Sequence, residues 1–148
     1  MQHINRWMVM VLLILAALPL AACSQASAVT ASKVQPSQVE KIEGTEFNRV
    51  ILTEKAAERL DLQMAPVREE QVNGTQRLVV PYSTVIYDLE GATWMYTSPA
   101  PLTFVRESIT VDYIEGDMVV LVDGPAAGTE VVTVGVPELY GADTGIGK

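Results

Sequence analysis

Hydrophobic residues in this chain fall into two regimes. Close to the amino terminus a single uncharged run extends from Trp7 to Leu18, whereas beyond about Phe47 the apolar positions come in short runs separated by Gly, Pro and Asn-Gly. The second regime predicts strands. The runs are Arg49-Val50-Ile51-Leu52, Leu62 to Val67, Arg77 to Val80, Thr84 to Tyr87, Thr93 to Thr97, the partly alternating Phe104 to Tyr113, Met118 to Val122, and Glu130 to Val134. Turn signals stand between them: Asn73-Gly74, Gly91, Pro99 with Pro101, Gly116-Asp117, Gly124-Pro125 and Gly128. Short strands recurring every 8–12 residues or so, with turns between, predict an antiparallel sandwich, roll or barrel. Asn73-Gly74 suits a type I′ turn and is expected to join Leu62–Val67 to Arg77–Val80 as a hairpin. Pro66 and Pro81 have no N–H to give a ladder, so they belong at strand ends or edges. One segment departs from the strand pattern. Thr53 is an N-cap residue before Glu54-Lys55-Ala56-Ala57-Glu58-Arg59-Leu60, with an acid in the first turn and a base in the last. Leu52 and Ala57 stand at the positions of a hydrophobic staple. A helix of about two turns is unstable alone and must dock on a sheet. The expected fold is therefore mainly β: a small antiparallel β-roll or sandwich with one short helix near its start.

The first apolar regime reads as an export signal. Arg6 precedes the run, small residues follow it, and the run is shorter than the roughly 20 residues needed to span a bilayer. It closes on Leu20-Ala21-Ala22-Cys23, which resembles the bacterial lipobox. That resemblance implies cleavage before Cys23 and lipidation of its sulfur, with the protein held on the extracytoplasmic side of a bacterial membrane, in the cell envelope. Several acyl chains on one residue, each methylene burying about 0.8 kcal/mol, give stable attachment where one chain is marginal. The expected organisation is a lipoprotein signal peptide over 1–22, the lipidated Cys and a flexible linker over 23–46, a β-domain over 47–141 and a tail over 142–148. The linker is rich in Ser, Ala, Gln and Val and has no periodicity.

Composition narrows the chemistry. The 148 residues carry 10 Lys+Arg against 18 Asp+Glu, a formal charge of -8, with one His and one Cys. An acidic chain argues against phosphate-backbone contacts, so no nucleic acid is expected. His3 leaves with the signal and Cys23 is taken by lipid, so the mature chain has neither imidazole nor thiol. Triads, Cys–His pairs and multi-ligand zinc sites are thereby excluded, and no enzyme activity, cofactor or metal is expected. The acids Glu69-Glu70, Asp88 with Glu90, and Asp112, Glu115 and Asp117 fall in or beside predicted turns, where solvated carboxylates are ordinary. Ser83 and Thr84 have no base to activate them. Met64, Met95 and Met118 sit in separate apolar segments and read as core filling rather than a soft-metal site. Trp94 and Tyr96, two apart on one predicted strand, share a face and form a candidate interaction patch.

The stretch Val79 to Tyr96, with Ile109-Thr110-Val111, Gly116-Asp117 and Gly124 through Gly135, resembles the closing segment of periplasmic adaptors (membrane fusion proteins) of RND-type efflux pumps. Leu52 to Val67 is similar to the first pass of the same membrane-proximal domain. In full adaptors, barrel, lipoyl-like and helical-hairpin domains intervene between the two passes; here only Arg68 to Leu78 does. The resemblance implies a lipid-anchored accessory protein that binds an RND- or ABC-type transporter or an adaptor partner. The alternative is a stand-alone ligand- or metal-binding lipoprotein.

Overall fold

The computed structural model describes residues 35–146. The expected signal segment 1–22, the expected lipidation residue Cys23 and the first part of the expected linker lie outside the described residues. The order of elements is β1 (Ser37–Lys41), β2 (Asn48–Leu52), α1 (Glu54–Arg59), β3 (Gln63–Pro66), β4 (Arg68–Val72), β5 (Thr75–Pro81), a 3-10 turn (Tyr82–Thr84), β6 (Ile86–Tyr87), β7 (Thr93–Ala100), β8 (Thr103–Glu115), β9 (Met118–Asp123), β10 (Glu130–Val134) and α2 (Val136–Thr144). All the strand pairings are antiparallel, in the order β3-β10-β7-β8-β9-β5-β4, with β2 and then β1 added beside the first half of β8. The mainly antiparallel β fold expected from the sequence is the fold observed, as a curled half-barrel sheet.

Strand β8 makes the curl. Residues Thr103–Ile109 pair with β7, whereas Thr110–Glu115 pair with β9, and the register shifts twice between Thr110 and Tyr113. Such irregularities bend a strand and increase its twist, which lets one strand serve two parts of a sheet.

Period-two alternation then fills two cores. On β7, Tyr96 enters a cluster with Val50, Leu52, Ala56, Phe104, Val132, Val136 and Leu139, beneath the two helices. Its neighbour Met95 points the other way, into a cluster with Val67, Val80, Ile109, Val119, Leu121 and Val131. Val131 and Val132 on β10 divide in the same manner. Both faces of the central strands are buried, which is why their sequences read as continuous apolar runs rather than simple alternation.

Local signals decide several elements. Thr53 Oγ1 accepts from Ala56 N at 3.2 Å, capping α1 as expected. Asn73 and Gly74 both take positive φ, +52° and +81°, and close a two-residue hairpin. Its arms differ from the expected ones: they are β4 and β5, while Gln63–Pro66 forms the separate edge strand β3 against β10. The chain crosses between them at Val67, whose N–H donates to Thr129 O at 2.9 Å and whose carbonyl accepts from Gly128 N at 2.8 Å. Pro66 closes an edge strand and Pro81 ends β5, both at positions that need no central ladder donor. The charged sequence of β4, Arg-Glu-Glu-Gln-Val, suits an exposed sheet edge that discourages pairing with other chains.

Two segments hold more structure than the sequence suggests. Residues 37–41, within the expected linker, pair with β2 as β1. Residues 136–144, spanning the expected boundary at 141, form α2. Gly141 in its middle lowers helix propensity, but Pro137 in its first turn and Gly145 just past its end are the usual boundary residues. Gly135 starts α2 at φ +91°, and a Cβ there would lie 2.8 Å from Leu62 Cδ2. Gly135→Ala is therefore expected to destabilise the fold by about 2 kcal/mol, from strain plus overlap, as measured by urea denaturation. The equivalent change at Gly74, where nothing lies within 4 Å, adds strain without overlap and is expected to cost less.

Candidate functional site

Three strands and a helix converge on one carboxylate. Asp143, in the last turn of α2, has a side chain with no exposed surface. Tyr96 Oη donates to its Oδ2 at 2.8 Å. Asn48 Nδ2 donates to Oδ1 at 2.9 Å and also to the Asp143 carbonyl at 3.2 Å. Arg106, the cross-strand partner of Tyr96, brings Nε to 3.3 Å from Oδ2. That separation is within ion-pair range, although the N–H is not directed at Oδ2 or at any other acceptor as a hydrogen bond. The guanidinium is compensated otherwise. Its carbon lies 5.5 Å from the Phe47 ring centroid, 5.4 Å from Trp94 and 5.7 Å from Tyr140. Phe47 and Trp94 meet edge to face at 5.1 Å. Three π faces and one carboxylate thus surround a side chain that is only 15% exposed.

Burial, and then the hydrogen bond to Asp143, push the Tyr96 phenol well above its usual range, so it stays a neutral donor. Neither Tyr96 nor the Asp143 side chain is accessible to a substrate. The arrangement clasps α2 to the sheet. Sequence reasoning singled out neither Arg106 nor Asp143. A signal for Arg106 did exist, because strand alternation places it on the same face as buried Phe104. Asp143 had none, since it falls in the expected tail.

A second arrangement lies on the other side of Trp94. Its indole Nε1 donates to Asp88 Oδ2 at 2.9 Å, while Asp88 Oδ1 accepts from Glu90 N at 3.1 Å and Ala92 N at 2.7 Å. Gly91, at φ +85°, turns the chain back so that Asp88 N can donate to Ala92 O at 3.1 Å. The Trp94 hydrogen bond above all, with the backbone donors, holds the Asp88 carboxyl below the usual carboxylate range. At the tip of this braced loop Leu89 is 100% exposed. Tyr87 and Tyr82 beside it are about half exposed, and burial together with Tyr82 raises the Tyr87 phenol.

The expected site residues distribute as follows. Cys23 lies outside the described residues. Trp94 and Tyr96 do share a face, but Tyr96 is fully buried, so the candidate patch is corrected: Tyr96 belongs to the core and Trp94 is half buried against Arg106. Large side chains on a face covered by α2 are drawn into the core. Met95 is buried on β7, whereas Met64 is about half exposed on edge strand β3 and Met118 lies on β9, with three strands between β3 and β9 in the sheet order. Asp112 pairs with Arg77 and Glu70 with Arg68. Thr84 is buried, and its hydroxyl donates to Pro81 O at 2.8 Å. Among the described residues no group of three or more acidic, His or Cys side chains is placed to hold a metal, and no helix is long and apolar enough to cross a membrane. Compared with protein-family models, curated proteins and solved structures, the chain matches none.

Removing one partner of a buried pair strands the other. Asp143→Ala is expected to cost about 3–5 kcal/mol in urea denaturation and Tyr96→Phe about 1–2 kcal/mol, with Arg106→Met recovering part of the loss in the Asp143→Ala background. For Asp88 the lowered pKa fixes the sign: its stabilisation of the loop is complete above the ordinary carboxylate pKa and is lost as pH falls through the lower folded value. The Trp94 indole proton resonance is expected to titrate below the ordinary Asp value of about 3.9, and Asp88→Asn to abolish that titration.

Proposed function

We propose that this protein is a lipid-anchored, extracytoplasmic contact module that works without catalysis, by binding an RND- or ABC-type transporter or an adaptor partner in the envelope. Three features support the reading. The export segment ending in Leu20-Ala21-Ala22-Cys23 provides the address and the anchor. The resemblance of Val50 to Gly141 to adaptor membrane-proximal domains points to the partner class. The third feature carries the contact argument. Leu89 is wholly exposed on a loop whose geometry is already set by Asp88, with Tyr87 and Tyr82 alongside. An apolar side chain held out in one conformation loses little entropy on docking, and tyrosine is favoured at the centre of interfaces. Glu90 adds an acid next to the tip, which suits an apolar socket with a basic rim.

Pull-down of the full-length lipidated protein from native membranes in mild detergent tests this. Recovery of a transporter or adaptor component is expected with the wild type and at least tenfold less with Leu89→Asp, about 1.4 kcal/mol or more of lost binding. The thermal midpoint of the variant is expected to be unchanged, because Leu89 has no packing to lose. Absence of any such component with the wild type overturns the reading.

A further inference from the structure

Between the two helices runs a groove of about 540 Å³ that neither the clasp nor the braced loop uses. Its floor is apolar, from Leu52, Ala56 and Leu60, with Ala142 on the α2 wall. Its rims are charged. Lys55 and Arg59, four apart on α1, occupy one side, and Glu138, one turn before Ala142 on α2, occupies the other. Among the described residues the ion pairs are Arg49–Glu40, Arg68–Glu70, Arg77–Asp112 and Arg106–Asp143, so these three rim charges pair with nothing. Ala56 and Ala142 are small, so their side chains leave the space above the floor unfilled. A volume in this range, mostly apolar with a few polar groups on its rims, falls among those of small-ligand sites.

From this geometry we infer that the groove binds a single-chain phospholipid-class amphiphile: its acyl chain lies on Leu52, Ala56, Leu60 and Ala142, its phosphate meets Lys55 and Arg59, and an ammonium on its head group meets Glu138. The charge pattern selects this class. Two cations on one rim match a phosphate, Arg59 through two parallel N–H groups and Lys55 as a point charge. A carboxylate on the opposite rim repels a purely anionic head and attracts a phosphate that carries an adjacent amine. The apolar floor gives a bare phosphate nothing, and the charged rims give a neutral hydrocarbon no orientation. This inference is independent of the partner reading, since Leu89 and its loop take no part in the groove.

The test is site-resolved photo-crosslinking of the full-length protein with a lysophospholipid bearing a diazirine in its acyl chain, presented with either an ethanolamine or a glycerol head group. Labelled peptides from residues 52–60 and 138–142 are expected, with the ethanolamine form favoured. Labelling is expected to fall about tenfold in Lys55→Ala/Arg59→Ala, two exposed positions at which folding is not at risk, and Glu138→Gln is expected to erase the preference between head groups. Excess inorganic phosphate is expected not to compete. Four results would each overturn the inference: labels spread over the sheet strands, unchanged labelling in the double variant, equal labelling by both head groups in the wild type, or full competition by inorganic phosphate. Loss of the pull-down in Leu89→Asp with groove labelling intact separates the two readings.

Discussion

A carboxylate with no exposed surface is costly unless something of opposite charge and several donors meet it, and Asp143 is such a carboxylate in a chain already rich in acids. The remainder of the fold is arranged around meeting that requirement. Asn48 comes from β2, Tyr96 from β7 and Arg106 from β8, so a single side chain on α2 ties the helix to three strands at once. The consequence is structural before it is electrostatic. α2 delivers Val136 and Leu139 to the core beneath the helices. Without the clasp that core would lose its lid, and the central strands would present an apolar face to water.

Trp94 connects this interior to the surface. Its ring faces Arg106 and Phe47, and its N–H reaches out to Asp88. The loop that holds Leu89 in solvent is thereby braced from the core outward. Polar chemistry in the interior is spent on holding elements together: Tyr96 is a fixed neutral donor, Asn48 and Tyr96 supply the hydrogen bonds of Asp143, and Arg106 supplies its counter-charge. What is left for interaction with other molecules lies at the periphery, in a rigid apolar tip at one place and a charged-rim groove at another. Both are surfaces on which another molecule can settle without disturbing the core.

Legibility followed range. The cap at Thr53, the turn at Asn73-Gly74 and the edge positions of Pro66 and Pro81 depend on a few adjacent residues, and each was readable from the chain. The hairpin arm differs from the expected one because the charged run of β4 carries little apolar signal and β3 is the last apolar run before the turn, and only the distant Thr129 and Gly128 reveal where the chain changes sheet. The strand β1 was hidden for a similar reason: Ser-Gln-Val-Glu-Lys has one apolar residue and is strand only because β2 offers it an edge. Trp94 and Tyr96 were correctly placed on one face, yet alternation says nothing of what covers that face. It took α2 to decide that Tyr96 is interior.

By itself, then, the sequence determined the class of fold, the position of the first helix and the tight turns, because those follow from local backbone preference and apolar spacing. It also set the supply of chemistry, since a chain whose only imidazole and thiol are His3 and Cys23 can place neither type in its β-domain. Only the tertiary structure decided that Arg106 and Asp143 meet, that Leu89 stands clear on a braced loop, and that two short helices leave a groove between them. Those outcomes join residues far apart in the chain, such as Asn48 with Asp143, and closures of that length are settled by packing and charge compensation over the whole fold rather than by any neighbourhood of residues.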